Sequence, residues 1–414
     1  MEAITYTVGE ALRLTLALER PRFGLTPEDL FSLAVRDNPK RAFLFVSRVL
    51  GKHLSRPPAV LLAAGRLLAL AMTRDPDCAA WWTDVLTGRT TPPFAQILSR
   101  RQAERVDVSE AERTLFLGFA ETATGLARAV ADCFGGESGY VSTTRLHRPG
   151  AYLTFEETHS HASTHRLYLD PDDPFLKGCT RAVLIDDEFT TGNTALSLIR
   201  LLHRQFGITR FLLLSLLDNS GGDNCRAVAS ELGIEIQSVS LLRGRLVSVQ
   251  AGPPPPPNLE DWRVQPGTAL TPGGPPLSLP DGRTLLRAGD RERTLDLCRA
   301  AAERLGEGRD TLFLGTGERI YEPALLAGLC GGTAFHSTTQ SPVCALAGSA
   351  ITSGVRFAPP DCYSTAGYLY NVPRNRYRRA VICTEPATRD PRGLAQLAGY
   401  LSSRGIGTVE EVLL

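Results

Sequence analysis

Two adjacent carboxylates, Asp186 and Asp187, follow a short apolar run at residues 183–185 that is long enough for a buried strand. Three threonines and Gly192 come next, within residues 190–194, and apolar residues at helical spacing follow. In an α/β protein, such a loop lies at the carboxyl end of a strand, where ligands bind. Helix N–H groups and hydroxyls suit a phosphate, and Gly192 lets the backbone approach it closely.

An acidic pair beside an anion site is explained by a ligand that carries both a phosphate and a diol, or by a bound Mg²⁺. A phosphorylated ribose meets the first description. The alternative is an ordinary turn that leads into a helix capped by threonine. The length of the pattern favours the ligand site.

The stretch resembles the 5-phosphoribosyl-1-pyrophosphate (PRPP) signature of type I phosphoribosyltransferases, in which two acids precede Thr-Thr-Gly-x-Thr. The resemblance implies that Asp186 and Asp187 are the catalytic residues, which hold the ribose hydroxyls and support Mg²⁺ with PRPP. It also implies that the following loop holds the 5′-phosphate. The residues assigned to PRPP are Asp186, Asp187, Thr190, Thr191, Gly192, Asn193 and Thr194.

Length and composition narrow the class of protein. The chain has 414 residues, enough for two or three domains, and 43% of them are hydrophobic. The formal net charge of +1 argues against a nucleic-acid or acidic-membrane partner. Scattered cysteines without a Cys-x-x-Cys pair, and an N-terminus without a signal-peptide pattern, predict a cytoplasmic protein.

Alternating strand and helix patterns predict an α/β fold with a mostly parallel sheet flanked by helices. We expect a transferase domain over residues 1–250, with a helical part at 1–105 and a core at 110–248. One helix is predicted from Thr26 to near Asn38. The resemblance implies that the loop after the first core strand binds pyrophosphate. That loop comprises Glu121, Thr122, Ala123, Thr124 and Gly125.

A polar segment at residues 147–166 corresponds, by the same resemblance, to a mobile lid between the second and third strands. Its pattern His-x-His-x-x-x-His could instead bind a metal, although we favour a lid. Arg48 and Lys52 are expected on one helical face, either as a solvated edge or as a cationic edge near the pyrophosphate or acceptor. The residues assigned to the lid or acceptor are Arg48, Lys52, His159, His161 and His165.

The second half repeats the first after a Pro/Gly-rich linker at residues 251–284. Residues 311–315 are identical to residues 114–118, and three further short matches follow in the same order. We therefore expect residues 285–414 to form a degenerate copy that has lost PRPP binding, because Thr384-Glu385-Pro386 replaces the acidic pair. A second ligand site is predicted at Gly315, Gly317, Thr338, Thr339 and Ser341.

The whole chain resembles biosynthetic phosphoribosyltransferases of bacterial tellurium-resistance and stress gene clusters. Their C-terminal domain carries Thr-Arg-Ser-Pro, where this chain has Gln340 in place of arginine. The resemblance implies an orotate phosphoribosyltransferase-like fold, Mg²⁺, PRPP and a small base-like acceptor, with release of pyrophosphate. A non-catalytic PRPP-binding regulator is the alternative, and a homodimer is kept open.

Overall fold

The computed structural model describes residues 1–36, 38, 41–150, 152–156, 164–253, 255–256, 258–262, 270–361 and 365–414. The elements of the first 103 residues are β1 (Glu2–Val8), β2 (Leu12–Leu18), α1 (Pro27–Leu30), β3 (Phe31–Val35), β4 (Phe43–Ser47), α2 (Pro58–Thr73), α3 (Ala79–Thr87) and α4 (Phe94–Ala103).

Before Pro58 the N-terminal part contains only short helical turns, such as α1, and is otherwise built from strand pairs, which corrects our expectation of a helical part over residues 1–105. The strand pairs β1–β2 and β3–β4 form antiparallel hairpins. The helix that starts after Thr26 ends at Leu30, because Phe31 to Val35 pair with β4 and bury their apolar side chains. Tertiary pairing has overridden the local helix signal. Arg48 and Lys52 follow β4 in a turn region, so they do not share a helical face.

The core of the first half follows the helices. Its elements are β5 (Val106–Val108), β6 (Thr114–Gly118), α5 (Thr124–Ala131), β7 (Phe134–Gly136), β8 (Ser138–Ser142), β9 (Leu153–Glu156), β10 (Thr164–Leu167), α6 (Pro174–Lys177), β11 (Arg181–Phe189), α7 (Asn193–Phe206), β12 (Arg210–Asp218), α8 (Asp223–Leu232) and β13 (Glu235–Ala251).

The second half begins with short strands from the Pro/Gly-rich segment. Its elements are β14 (Glu260–Asp261), β15 (Thr271–Pro272), β16 (Leu286–Arg287), α9 (Ala288–Leu305), β17 (Thr311–Gly315), α10 (Tyr321–Leu329), β18 (Ala334–Ser337), β19 (Gly354–Phe357), β20 (Gly367–Tyr370), β21 (Arg379–Thr384), α11 (Pro391–Ser403) and β22 (Thr408–Leu413).

The large sheet of the first half runs in the order β1-β2-β13-β12-β11-β6-β8-β16. Its central strands β13, β12, β11, β6 and β8 are parallel. All of β6 and nearly all of β12 are buried. Strands that are covered on both faces read as continuous apolar runs, so the sequence predicts them well. The mostly parallel α/β fold is confirmed.

The second sheet runs in the order β15-β22-β21-β17-β18 and repeats the centre of the first. Thr114 lies opposite Arg181 in the first sheet, and Thr311 lies opposite Arg379 in the second. On its other side, β6 pairs in parallel with β8, and β17 likewise pairs in parallel with β18. The predicted strand starts at Thr311, Ala334 and Arg379 are confirmed, and the three strands lie in the same spatial order as their counterparts β6, β8 and β11.

The two halves share one hydrophobic core. It joins Phe116 and Ala129 of the first half to Phe313, Ile320 and Phe335 of the second. Among the described helices, none has the length and apolar character needed to cross a membrane.

Candidate functional site

The acidic pair lies at the carboxyl end of β11, in the middle of the large sheet. The Asp187 N–H donates to Asp186 Oδ1 at 2.9 Å. Burial, and then the neighbouring Asp187 carboxylate, raise the pKa of Asp186 well above its usual range. Burial likewise raises the pKa of Asp187. No ion pair joins either aspartate to a cation among the described residues, so hydroxyl donors or a bound cation would stabilise the ionised pair.

The predicted phosphate loop follows directly and opens toward solvent. Thr190 and Thr191 are exposed, and α7 begins at Asn193. Gly192 has a φ of 74°, in the left-handed region that favours glycine, and this turn sets the start of the helix. The first N–H groups of α7 therefore lie beside the acidic pair, in the position that suits a phosphate.

A third acid at this strand end was not predicted from the sequence. Glu188 accepts a hydrogen bond from Arg41 Nη2 at 2.6 Å, and the guanidinium lies 4.7 Å from the ring centroid of Phe43. Burial raises the pKa of Glu188, and Arg41 opposes that shift. Arg41 brings the β3–β4 hairpin to the edge of the acidic site. No spacing in the sequence relates Arg41 to Glu188, because 147 residues separate them.

The predicted pyrophosphate loop lies beside the acidic pair, since the Phe119 N–H donates to Ile185 O at 3.2 Å. Glu121 is buried and pairs with Lys52 Nζ at 2.5 Å. The end of the loop faces the second half: Thr124 Oγ1 donates to Glu318 O at 2.7 Å. The structure thus brings residues 121–125 and the acidic pair to one edge of the sheet.

The two predicted basic residues have separate surroundings. Lys52 is 1% exposed and contacts Glu121 and the second half. Arg48 instead donates through Nη1 to Ser32 Oγ at 3.2 Å, at the base of the β3–β4 hairpin. The two residues therefore do not form the common basic edge expected from their spacing, although Lys52 does lie at the predicted pyrophosphate loop.

The geometry now places an acidic pair, a helix N-terminus and a second loop at adjacent strand ends. Residues 30–245, which are 216 of the 414 residues, match the family described as phosphoribosyl transferase. The chain belongs to this family. It is a phosphoribosyltransferase. Residues 282–399 match the TRSP domain, which is described as C-terminal to this transferase domain. No curated protein matches the chain.

Similar solved structures include two adenine phosphoribosyltransferases. The Rhodothermus marinus protein is 17% identical, with 35% of this chain and 74% of that chain covered and a TM-score of 0.23. The Trypanosoma brucei protein, in complex with AMP, pyrophosphate and ribose-5-phosphate, is 15% identical, with 36% and 62% covered and a TM-score of 0.25.

Orotate phosphoribosyltransferase from Mycobacterium tuberculosis, in complex with PRPP, is 16% identical, with 44% of this chain and 87% of that chain covered. Its TM-score is 0.20. The family of this chain is therefore assigned from the match over residues 30–245 and not from these structures.

The segment that we expect to form a lid is described in part. β9 and β10 form an antiparallel hairpin. His165 is buried in β10, where its ring stacks on Phe155 at a centroid distance of 5.3 Å. His159 and His161 lie outside the described residues, as does the rest of residues 157–163. Among the residues that are described, no group of three or more His, Cys, Asp or Glu side chains is arranged so that it could hold a metal ion by itself.

The residues of the predicted second site lie together at the carboxyl ends of β17 and β18. The Gly317 N–H donates to Thr338 Oγ1 at 3.1 Å, and the Thr338 N–H donates to Gly315 O at 2.9 Å. The Ser341 N–H donates to Thr339 Oγ1 at 3.1 Å. These residues form the same loop framework as the first half.

The space beside that framework is filled by charged side chains. Arg283 Nη1 and Arg319 Nε donate to Glu385 Oε1 at 2.6 and 2.7 Å. A cavity of about 20 Å³ remains next to Arg283 and Glu318. Burial opposes ionisation of Glu385, but Arg319 and Arg283 outweigh it and lower its pKa to about 2. The charges around Glu385 are thus paired with one another.

Proposed function

We propose that the first half binds PRPP with Mg²⁺ and transfers its phosphoribosyl group to a small, base-like acceptor, with release of pyrophosphate. The observation that carries this proposal is the acidic pair, which is not ion-paired among the described residues and lies beside an open helix N-terminus. A sugar phosphate supplies hydroxyls for the first and an anion for the second.

The roles of the residues follow from their positions. Asp186 and Asp187 would accept hydrogen bonds from the ribose hydroxyls, and residues 190–194 would hold the 5′-phosphate. Residues 121–125 would hold the pyrophosphate. Because the leaving group departs as an anion, catalysis requires positioning and charge stabilisation, and a nucleophilic side chain is not needed.

The donor set fits magnesium. Two adjacent carboxylates offer the oxygen ligands that Mg²⁺ prefers, and neither forms an ion pair with a protein cation among the described residues. Asp186 and Asp187 would support the ion together with substrate phosphates. When bound, Mg²⁺ would neutralise negative charge on the pyrophosphate.

We further propose a cytoplasmic protein that acts on small molecules and not on nucleic acid, since the net charge is +1 and supplies no strong field. A role in tellurium resistance or stress belongs to the same proposal. Mapping of the genes that flank this one, together with tellurite sensitivity of a deletion strain, would test that role.

The function is tested with the purified full chain, Mg²⁺, PRPP and a pool of small molecules from cell extract. Mass spectrometry should reveal a new product heavier than its acceptor by one phosphoribosyl group, together with stoichiometric pyrophosphate. Omission of PRPP is the control. PRPP binding without any product from complete pools would contradict the transferase proposal and favour a regulator.

A further inference from the structure

Each half contributes a short segment to the edge of the other half's sheet. β16, which leads into α9, pairs with β8 of the first half, where Leu286 lies opposite Tyr140. Arg56, which leads into α2, forms the equivalent antiparallel bridge with Phe335 in β18. Each sheet is therefore extended by a segment of the other half, which leads into α9 in one case and into α2 in the other, as in a symmetric dimer.

The loop that follows β6 and the loop that follows β17 each contact the other half. Glu121 follows β6 and Glu318 follows β17 at the same position in the repeat. Glu318 accepts a hydrogen bond from the Arg145 N–H of the first half at 3.3 Å. Glu121 accepts one from the Gln340 N–H of the second half at 3.4 Å. Because Gln340 contributes its main chain, this contact does not require the arginine of Thr-Arg-Ser-Pro.

Each of these carboxylates is matched by one buried cation. Arg283 Nε donates to Glu318 Oε2 at 2.7 Å. Lys52 Nζ contacts Glu121 Oε1 at 2.5 Å, and it also donates to Gly317 O at 2.6 Å and to Thr338 O at 2.7 Å. An ammonium has three hydrogens, so all donors of Lys52 are used, two of them by the second half.

We propose that the second half acts as an internal partner subunit, which holds Lys52 against Glu121 so that the pyrophosphate loop can accept a polyanion. The proposal rests on the proposed pyrophosphate role of residues 121–125. An ionised Glu121 without its cation would repel the ligand, whereas the Lys52–Glu121 pair is neutral. Lys52 is a positioning residue, because its donors are used within the protein and it acts through Glu121.

The test is calorimetry of pyrophosphate with Mg²⁺ on the full-length chain, in four forms: wild type, Lys52→Met, Glu121→Gln and the double variant. Lys52→Met should weaken binding about tenfold or more, because Glu121 then faces the anion unpaired. Glu121→Gln leaves the positive charge of Lys52 uncompensated and should bind pyrophosphate several-fold more tightly than wild type. The double variant should recover to within about threefold of wild type, which loss of packing alone would not produce.

Lys177→Met is the matched control, because Lys177 is exposed and pairs with Asp172 on the surface. It should leave pyrophosphate binding unchanged. Thermal unfolding identifies variants that fail to fold. If Lys52→Met is one of them, Glu121→Gln and the double variant decide the matter, and tenfold weaker binding by both would overturn the proposal.

Two further outcomes separate this inference from the proposed function. Normal pyrophosphate binding by a folded Lys52→Met variant would overturn the positioning role and leave the proposed transfer intact. Failure of the wild type to bind either pyrophosphate or PRPP would overturn the proposed function, and the positioning role with it.

Discussion

The equivalent central strands of the two halves, β11 and β21, end in different ways. In the first half, β11 carries Asp186 and Asp187, which have no cation partner among the described residues. In the second half, β21 is followed by Glu385, which Arg283 and Arg319 hold by hydrogen bonds. The strands have equivalent neighbours and equivalent register, but β11 continues to Phe189 whereas β21 ends at Thr384, just before Glu385.

The protonation behaviour of the two strand ends is opposite as a result. The pKa of Asp186 is raised by burial and by Asp187, whereas the two arginines bring the pKa of Glu385 down to about 2. A group kept without a counterion costs stability, and such sites are typical of function. A group that is paired internally has no need of a ligand. This difference is the one we expect if the first half binds the ligand and the second half supports it.

The largest expected effect comes from Asp186→Asn combined with Asp187→Asn. This variant should lower phosphoribosyl transfer about 1000-fold or more and strongly weaken PRPP binding, because the ribose loses its acceptors. Initial rates and calorimetry with PRPP measure both effects. Asp172→Asn with Glu231→Gln, which changes the same charge on exposed side chains, is the control and should be fully active. Turnover like that of the wild type in the Asp186/Asp187 variant would remove the catalytic assignment.

The second-largest effect is a loss of stability caused by a substitution in the second half. Glu385→Gln should lower the free energy of unfolding by about 3 kcal/mol, because Arg283 and Arg319 remain buried without a full countercharge. Urea unfolding at pH 7 measures the loss. The Asp186/Asp187 variant should show no such loss, since it removes no ion pair with a described residue. Equal destabilisation of the two variants would break the comparison.

The loss caused by Glu385→Gln should depend on pH with a definite sign. Because the folded-state pKa of Glu385 is about 2, below the ordinary 4.5, its stabilisation is present above the ordinary value. The stabilisation by Glu385 disappears as the pH falls toward the folded-state pKa of about 2. The difference between wild type and variant should therefore shrink between pH 4.5 and pH 2. For Asp186 the pKa is raised, so lowering the pH from neutral should instead stabilise the wild type relative to the Asp186/Asp187 variant.

The smallest expected effect concerns two equivalent hairpins, β9–β10 after β8 and β19–β20 after β18. With Mg²⁺ and PRPP, we expect slower hydrogen exchange in β9–β10, because the lid closes over the ligand. The corresponding β19–β20 hairpin should not change, since its half does not bind PRPP. Mass spectrometry of the two peptides measures both in one experiment. Equal protection of β9–β10 with and without ligand would identify that hairpin as structural.

Much of the fold could be predicted from the sequence, because parallel strands that are buried on both faces appear as short apolar runs. The runs in β6, β11 and β17 gave both the sheets and the repeat. The N-terminal hairpins could not be predicted in this way. A capped start at Thr26 and a turn of helix are present, but pairing with β4 determines the conformation from Phe31 onwards.

For the site, local pattern located the acidic pair and the loop that follows it, because their residues are adjacent in the chain. Partners across the fold were missed. Lys52 and Gly317 are 265 residues apart, and Arg41 reaches Glu188 through tertiary contact alone. Spacing along the chain carries no information about such pairs. The same limit applies to the ion cluster around Glu385, whose cations come from two different loops.

The shared core has an evolutionary consequence. Since Phe116 and Phe313 belong to one continuous interior, neither half can lose its sheet without exposing apolar surface of the other. After a gene duplication, selection for a soluble chain would then preserve the strands of both copies. The loops at the strand ends would be free to drift in whichever copy was not under catalytic selection. The pairing of an intact sheet with an altered strand end in the second half is the record that such a history leaves.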